Sequence, residues 1–96
     1  MIEVEKKVEF NRVAFYIKGT KILHREDGPA AILPGAAKIW YCNGKRHRED
    51  GPAVIFENGT NVWYLNDKQL SKEEWFGALS EEQKKTMLYS ECFINK

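Results

Sequence analysis

The sequence predicts an α+β fold: an antiparallel β-meander of about six strands, built from hairpin repeats and capped by two C-terminal helices. Aromatic and β-branched segments recur through residues 1–70, as strands require. Turn dipeptides, Asn-Gly and Asp-Gly, separate these segments. From residue 71 the pattern changes to helix-start signals. A chain of 96 residues fits one domain, with hairpin repeats over 1–70 and a helical cap over 71–96.

A repeated segment organises the chain. HREDGPA occurs at residues 24–30 and again at 47–53, and aligning the copies also matches segment 38–44 with 61–67. The aromatic pair Trp40-Tyr41 thereby matches Trp63-Tyr64, and Phe15-Tyr16 is an earlier, degenerate copy. A period of this length is typical of repeat architectures. The chain is therefore interpreted as three aromatic strands, each followed by a turn.

Three successive hairpins account for the first part of the chain. The first joins segments 8–10 and 13–17, the second joins 30–33 and 38–42, and the third joins 52–56 and 61–65. In the last strand Val62 and Tyr64 point to one face, and Trp63 and Leu65 to the other. Because both faces are apolar, we expect a cover over the second face. It could be the C-terminal segment, another sheet layer or a partner chain.

Two helices are predicted after the strands. The segments SKEE at 71–74 and SEEQ at 80–83 are capping-box patterns. They predict helices over about 72–78 and 81–92. We expect this pair to cover the sheet and to end the array as a cap.

Composition narrows the class of protein. Fifteen basic and fourteen acidic residues leave a net charge of +1, which argues against a general nucleic-acid binder. Cys42 and Cys92 form no disulfide framework and are interpreted as buried thiols, with a single disulfide left open. No apolar run approaches the roughly 20 residues that span a bilayer. We therefore expect a soluble, cytoplasmic protein without a membrane partner.

The favoured interpretation of HREDGPA is a structural corner between hairpins. Asp-Gly forms the turn, the following Pro sets the entry to the next strand, and Arg pairs with Asp locally or in the adjacent repeat. The residues assigned to these corners are His24, Arg25, Asp27, Gly28, His47, Arg48, Asp50 and Gly51.

Catalytic and metal-binding interpretations are less favoured. The two His residues with Glu26, Asp27, Glu49 and Asp50 could hold zinc or manganese. The His spacing matches no common metal motif, however, and a neighbouring Arg repels a cation. Acid–base catalysis needs two acids facing across a pocket, which adjacent acids in one copy cannot do. We therefore expect no enzyme, metal or cofactor, and keep a metal-dependent nuclease as the least favoured alternative.

Anion recognition is the second alternative. Lys45-Arg46-His47-Arg48 is a basic cluster near two aromatic pairs. The cluster could bind a phosphate while the aromatic rings stack on a base. Glu49 and Asp50 offset this charge, and the chain has no glycine-rich phosphate loop. A nucleotide or nucleic acid is therefore an alternative ligand.

The segment WYCNGKRHREDGPAVIFENGTNVWYLND, with the SKEE helix start after it, resembles a repeat in small proteins of tailed bacteriophages. The hairpins are also loosely similar to membrane occupation and recognition nexus repeats. The resemblance covers about residues 13–76. It departs where Leu70-Ser71-Lys72 stands in place of a third HREDGPA and where two extra residues precede His24. It implies a phage origin and a non-enzymatic β-repeat scaffold, and it assigns no catalytic residue.

The expected function follows from the two-sided apolar sheet and the absence of a credible active site. We expect a phage accessory protein that binds and modulates or inhibits a host protein, for instance an antiviral-defence component, in the host cytoplasm. Trp, Tyr and Arg supply most interface hot spots. The predicted contact residues are Trp40, Tyr41, Trp63, Tyr64, Lys45, Arg46, Arg48 and Trp75. A homodimer is left open.

Overall fold

The computed structural model describes residues 2–79. Its elements in chain order are β1 (Val4–Glu9), β2 (Arg12–Ile17), β3 (Ala31–Leu33), β4 (Ala37–Ile39), β5 (Tyr41–Cys42), β6 (Lys45–Arg46), β7 (Val54–Phe56), β8 (Asn61–Leu65), β9 (Lys68–Leu70) and α1 (Lys72–Ala78). The predicted α+β class is confirmed.

The main sheet is an antiparallel meander. Within residues 2–79 its seven strands lie in the order β1-β2-β3-β4-β7-β8-β9, and each neighbouring pair is antiparallel. Strands β5 and β6 form a separate two-stranded ribbon between β4 and β7 in sequence. The three predicted hairpins correspond to β1–β2, β3–β4 and β7–β8.

The prediction of about six strands was too low, because the turn after two of the aromatic strands closes a further short hairpin. Asn43 and Gly44 have φ values of 53° and 81°, and Asn66 and Asp67 have 51° and 71°. Positive φ at both central residues matches the twist of a two-residue hairpin. These turns therefore pair β5 with β6 and β8 with β9, and the strand predicted over 38–42 breaks at Trp40.

The meander gives the sheet two different ends. The tip end carries the hairpin turns of β1–β2, β3–β4 and β7–β8, at residues 10–11, 34–36 and 57–60. The corner end carries the connections from β2 to β3 and from β4 to β7, which contain the two HREDGPA segments, and the β8–β9 turn. A backbone hydrogen bond from Glu57 N to Ala36 O, 2.8 Å long, joins two of the tips.

The core is built largely from small side chains. The buried apolar residues are Ala14, Ala30, Ala31, Ala37, Cys42, Ala53, Val54, Trp75 and Leu79, and His24 and His47 are buried with them. Each HREDGPA segment thus contributes both a buried His and a buried Ala. Because alanine has only a methyl group, the backbone of each connection packs closely against the sheet.

Helix α1 covers part of the sheet, as predicted for the first helix. Its capping box is complete, since Glu74 N donates to Ser71 Oγ at 3.0 Å and Ser71 N donates to Glu74 Oε1 at 2.9 Å. The helix packs on β8 and β9 and buries Trp75. The second predicted helix, at 81–92, and Cys92 lie outside the described residues. In residues 2–79 no helix combines the length and apolar character that a membrane crossing needs.

Candidate functional site

We call the two HREDGPA segments corner 1 (residues 24–30) and corner 2 (residues 47–53), and each is organised around its Arg. In corner 2, Arg48 Cζ lies 3.8 Å from the centroid of the Trp40 ring, a cation–π geometry. Its Nε donates to Asp50 Oδ1 at 2.8 Å, and its NH1 donates to Pro52 O at 3.0 Å. The same contacts recur in corner 1, among Arg25, Phe15, Asp27 and Pro29.

The glycine of each corner lies against the other face of the guanidinium. A Cβ atom built on Gly51 would lie 2.9 Å from Arg48 Cζ, and one on Gly28 would lie 3.0 Å from Arg25 Cζ. A Cβ atom at either position would therefore push the guanidinium away from its present place. Neither glycine has a positive φ, so the close approach of the Arg, and not the turn conformation, favours glycine at these positions.

The buried His of each corner holds the next turn of the chain. Asn66 N donates to His47 Nδ1 at 2.9 Å, and Asn43 N donates to His24 Nδ1 at 2.9 Å. An Nδ1 atom that accepts a hydrogen bond leaves the ring proton on Nε2. That atom lies 2.9 Å from Glu49 Oε2 in corner 2. The His residues thus connect one repeat to the next.

The polar and charged side chains of each corner contact one another. The His–Glu and Arg–Asp contacts lie within each corner, and both His rings are buried. Between Ile2 and Leu79, no three side chains of His, Cys, Asp and Glu form a group that could hold a metal ion. This arrangement supports a structural role for the corners, as connections between successive hairpins.

Helix α1 takes the position that a third corner would occupy against the last aromatic strand. The Trp75 ring packs on Trp63, with ring centroids 6.3 Å apart and planes tilted by 51°. Trp75 Nε1 also donates to Arg48 O at 2.8 Å. The two corners also differ in exposure: the side chain of Asp50 is 15% exposed and that of Asp27 is 85% exposed.

Most of the predicted contact residues are engaged inside the protein. Trp75 is only 2% exposed, so its ring belongs to the core and presents no surface to a partner in this fold. Trp40 and Trp63 are half-buried under Arg48 and Trp75 respectively. Tyr41 is also half-buried.

The basic cluster is divided among different partners. Arg46 Cζ lies 4.3 Å from the ring centroid of half-buried Tyr64, and Arg46 Nε donates to Asp67 Oδ1 at 2.6 Å. Hydrogen bonds from the Arg46 side chain and backbone lower the pKa of Asp67 below its ordinary value of 3.8. The hydrogen bond to Asp67 raises the pKa of Arg46. Arg48 belongs to corner 2, and Lys45 is exposed.

The structure instead exposes aromatic side chains that the sequence analysis did not select. At the tip end Phe10 is fully exposed, neighbouring Val8 is 69% exposed and Phe56 is 42% exposed. From the sequence, Phe10 was expected in the first strand and the turn at residues 11–12, whereas the structure places the turn at residues 10–11. A residue within a two-residue turn between two strands has no sheet face on which to be buried.

No protein-family model, no curated protein and no solved structure matches the chain.

Proposed function

We propose that this is a small non-enzymatic accessory protein of a tailed bacteriophage that binds and modulates or inhibits a host protein, such as an antiviral-defence component, in the host cytoplasm. The phage origin rests on the resemblance of the repeated WY-x-NG and HREDGPA segments. The binding role rests on the exposed apolar side chains at the tip end of the sheet and on the sequence differences among the tips.

The observation that carries the binding role is the exposed aromatic character of the tip end. Phe10 exposes its whole side chain and Phe56 exposes 42%. Pro34 in the middle tip is exposed as well. Isolated apolar residues are common on protein surfaces. Phe10 and Pro34 lie on turns and Phe56 is the last residue of β7, so all three are at the same end of the sheet. Exposed apolar side chains gathered at one end of a fold are typical of interaction sites.

The repeats also differ in sequence at their tips, which is where a specific partner would distinguish one repeat from another. Corners 1 and 2 are identical over seven residues and make the same internal contacts. The tips are Phe-Asn, Pro-Gly-Ala and Glu-Asn-Gly-Thr. Because both corners make these internal contacts, the conformation explains why their sequences are identical. The variation at the tips supplies the chemically distinct positions that recognition uses.

A capture experiment with matched variants tests the proposal. The tagged full chain is incubated with bacterial lysate, and a bound protein is identified and then purified for a direct binding assay. We expect Phe10→Ser and Phe56→Ser each to weaken binding at least about tenfold, because exposed aromatics dominate interface energies. Lys21→Ser changes an exposed residue near the corner end and serves as the control. Equal binding by all three variants would contradict a tip-end contact.

A nucleotide or nucleic acid is the second candidate ligand, and exposed Lys45 beside Arg46 is the observation that favours it. Arg46 is already paired with Asp67, so an anion would have to compete with that carboxylate. A bound ligand raises the melting temperature by mass action. A rise with nucleotides that Lys45→Ser abolishes would support this candidate. Unchanged melting, with no salt-sensitive retention on nucleic acid, would remove it.

A further inference from the structure

We propose that β1 pairs antiparallel with β1 of a second copy of this chain, which joins the two sheets around a twofold axis. Strand β1 is six residues long and is the first strand in the sheet order. Within the described range it pairs with β2 alone. Its other edge therefore presents backbone donors and acceptors to a further strand.

The hydrogen-bond pattern identifies the residues on that edge. Lys18 N donates to Glu3 O at 2.9 Å, and these residues are opposite one another when the β1–β2 register is extended by one pair. In an antiparallel ladder the hydrogen-bonded pairs alternate along the strand. The backbone of Glu5, Lys7 and Glu9 therefore points to β2, whereas that of Val4, Lys6 and Val8 points outward.

Outward-pointing residues of two copies must face one another, which restricts the possible registers. Centring the twofold axis on Lys6 places Val4 opposite Val8 and Glu5 opposite Lys7, each twice by symmetry. Opposite charges and apolar pairs across strands are stabilising. The central Lys6 pair is repulsive, and so is the Glu3–Glu9 pair that flanks the contact at each end. The contact also covers Val8, whose side chain is 69% exposed.

The neighbouring registers are poorer. Centring the axis on Lys7 places Glu5 opposite Glu9 twice and Lys7 opposite itself, which makes three like-charge pairs. Centring it on Glu5 pairs only residues 4–6 of the six-residue strand and places Glu5 opposite itself. Among these three registers, only the one centred on Lys6 pairs five residues of β1 and also places opposite charges facing one another within the strand.

The contact closes at two copies. It uses the same surface on both chains, and an isologous contact of this kind forms a closed dimer. At the opposite side of the sheet β9 has only three residues, and Ser71 alone separates it from α1. A short strand is a poor template for further pairing. We therefore expect a dimer and not a filament.

Sedimentation velocity of the full chain over a range of concentrations tests the proposal, with charge exchange as the main probe. We expect a concentration-dependent dimer. The single changes Glu5→Lys and Lys7→Glu should each raise the dimer dissociation constant at least about tenfold, because each converts two attractive pairs into repulsive ones. The double variant Glu5→Lys/Lys7→Glu restores opposite charges and should return the dissociation constant to nearly the original value.

A backbone variant gives an independent readout. Lys6→Pro removes an outward N–H group that β2 does not use, so the fold should persist by circular dichroism while the dimer is lost. A protein that stays monomeric at every concentration would overturn the proposal. So would a dimer that neither Glu5→Lys nor Lys6→Pro weakens, because its interface would lie elsewhere.

Discussion

The indole Nε1 of Trp75 donates a 2.8 Å hydrogen bond to the carbonyl oxygen of Arg48. The bond connects the helix that ends the array to the second repeated corner, 27 positions earlier in the chain. The same Trp ring packs on Trp63. The Trp75 side chain therefore donates a hydrogen bond to corner 2 and also covers Trp63 on β8, the aromatic strand that no HREDGPA segment follows.

Replacing Trp75 separates these two contributions. We expect Trp75→Phe to lower the free energy of unfolding by about 1–2 kcal/mol, because it keeps most of the ring contact and leaves the Arg48 carbonyl unpaired. Trp75→Ala should cost about 3–5 kcal/mol, since it also opens a cavity. Urea unfolding followed by circular dichroism measures both. Equal losses would show that packing contributes little at this position.

Adding a methyl group at the corner glycines should be destabilising for a steric reason. We expect Gly51→Ala to cost about 1–3 kcal/mol, because its Cβ would lie 2.9 Å from the Arg48 guanidinium carbon. The cost should shrink when Arg48→Met is already present, since no guanidinium then occupies that space. A double-mutant cycle by urea unfolding measures the coupling.

Gly77→Ala is the matched control. Gly77 lies within α1 and nothing lies within 4 Å of the added methyl group. Alanine should therefore stabilise the protein by about 0.5–1 kcal/mol. A loss of stability at Gly77 equal to that at Gly51 would contradict the steric explanation.

The two corners have the same sequence and different exposure, so the same substitution should have different effects. Asp27 is 85% exposed, and Asp27→Asn should change stability by less than about 1 kcal/mol. Asp50 is 15% exposed beside an Arg48 side chain that is 18% exposed. Asp50→Asn should cost about 1–3 kcal/mol, because it leaves a largely buried guanidinium without its counter-charge. Thermal unfolding of both variants checks the order, and the reverse order would contradict it.

The His side chains should be required for a hydrogen bond and not only for packing. We expect His47→Phe to cost about 1–3 kcal/mol although it adds apolar volume, because the Asn66 amide loses its acceptor. His47→Asn can place a carbonyl oxygen near the former Nδ1 position. Amide hydrogen exchange at Asn66 should therefore be fast in His47→Phe and slower in His47→Asn. Unchanged Asn66 protection in His47→Phe would contradict this role.

Acid should weaken one surface contact. Arg46 lowers the pKa of Asp67 in the folded protein. A lowered folded pKa gives stability that is present above the ordinary Asp pKa of 3.8 and is lost as the pH falls through the folded value. The stability difference between the parent protein and Asp67→Asn should therefore be constant near neutral pH and diminish below about pH 4. Unfolding at several pH values measures it, and a difference that persists undiminished would contradict the linkage.

Much of the fold could be predicted from local patterns. Turn residues and alternating β-branched segments located the three hairpins, and the SKEE segment located the start of α1. The short strands β6 and β9 were not predicted, and the strand predicted over 38–42 is divided at Trp40 into β4 and β5. Strands β6 and β9 have two and three residues, and each follows a turn with positive φ at both central positions. Each of these turns also donates an amide hydrogen bond to a corner His 19 positions earlier in the chain.

The candidate surface was less predictable for a related reason. Aromatic type indicates either a core or a contact residue, and only packing decides between them. Trp75 was expected on the surface and is buried, whereas Phe10 was not selected and is fully exposed. Whether an aromatic ring is covered depends on groups that are distant in sequence, as Arg48 is from Trp40 and α1 is from Trp63.

The sequence by itself determined the repeat, the antiparallel hairpins and the position of the corners, because turn chemistry and side-chain periodicity act over a few residues. The tertiary structure alone decided what the HREDGPA side chains do. It places the Arg between an aromatic ring and a glycine, and it places the His against the amide of the following turn. The Arg–glycine contact lies within one corner, whereas the His–amide bond joins residues 19 positions apart and exists only when one repeat has folded against the next.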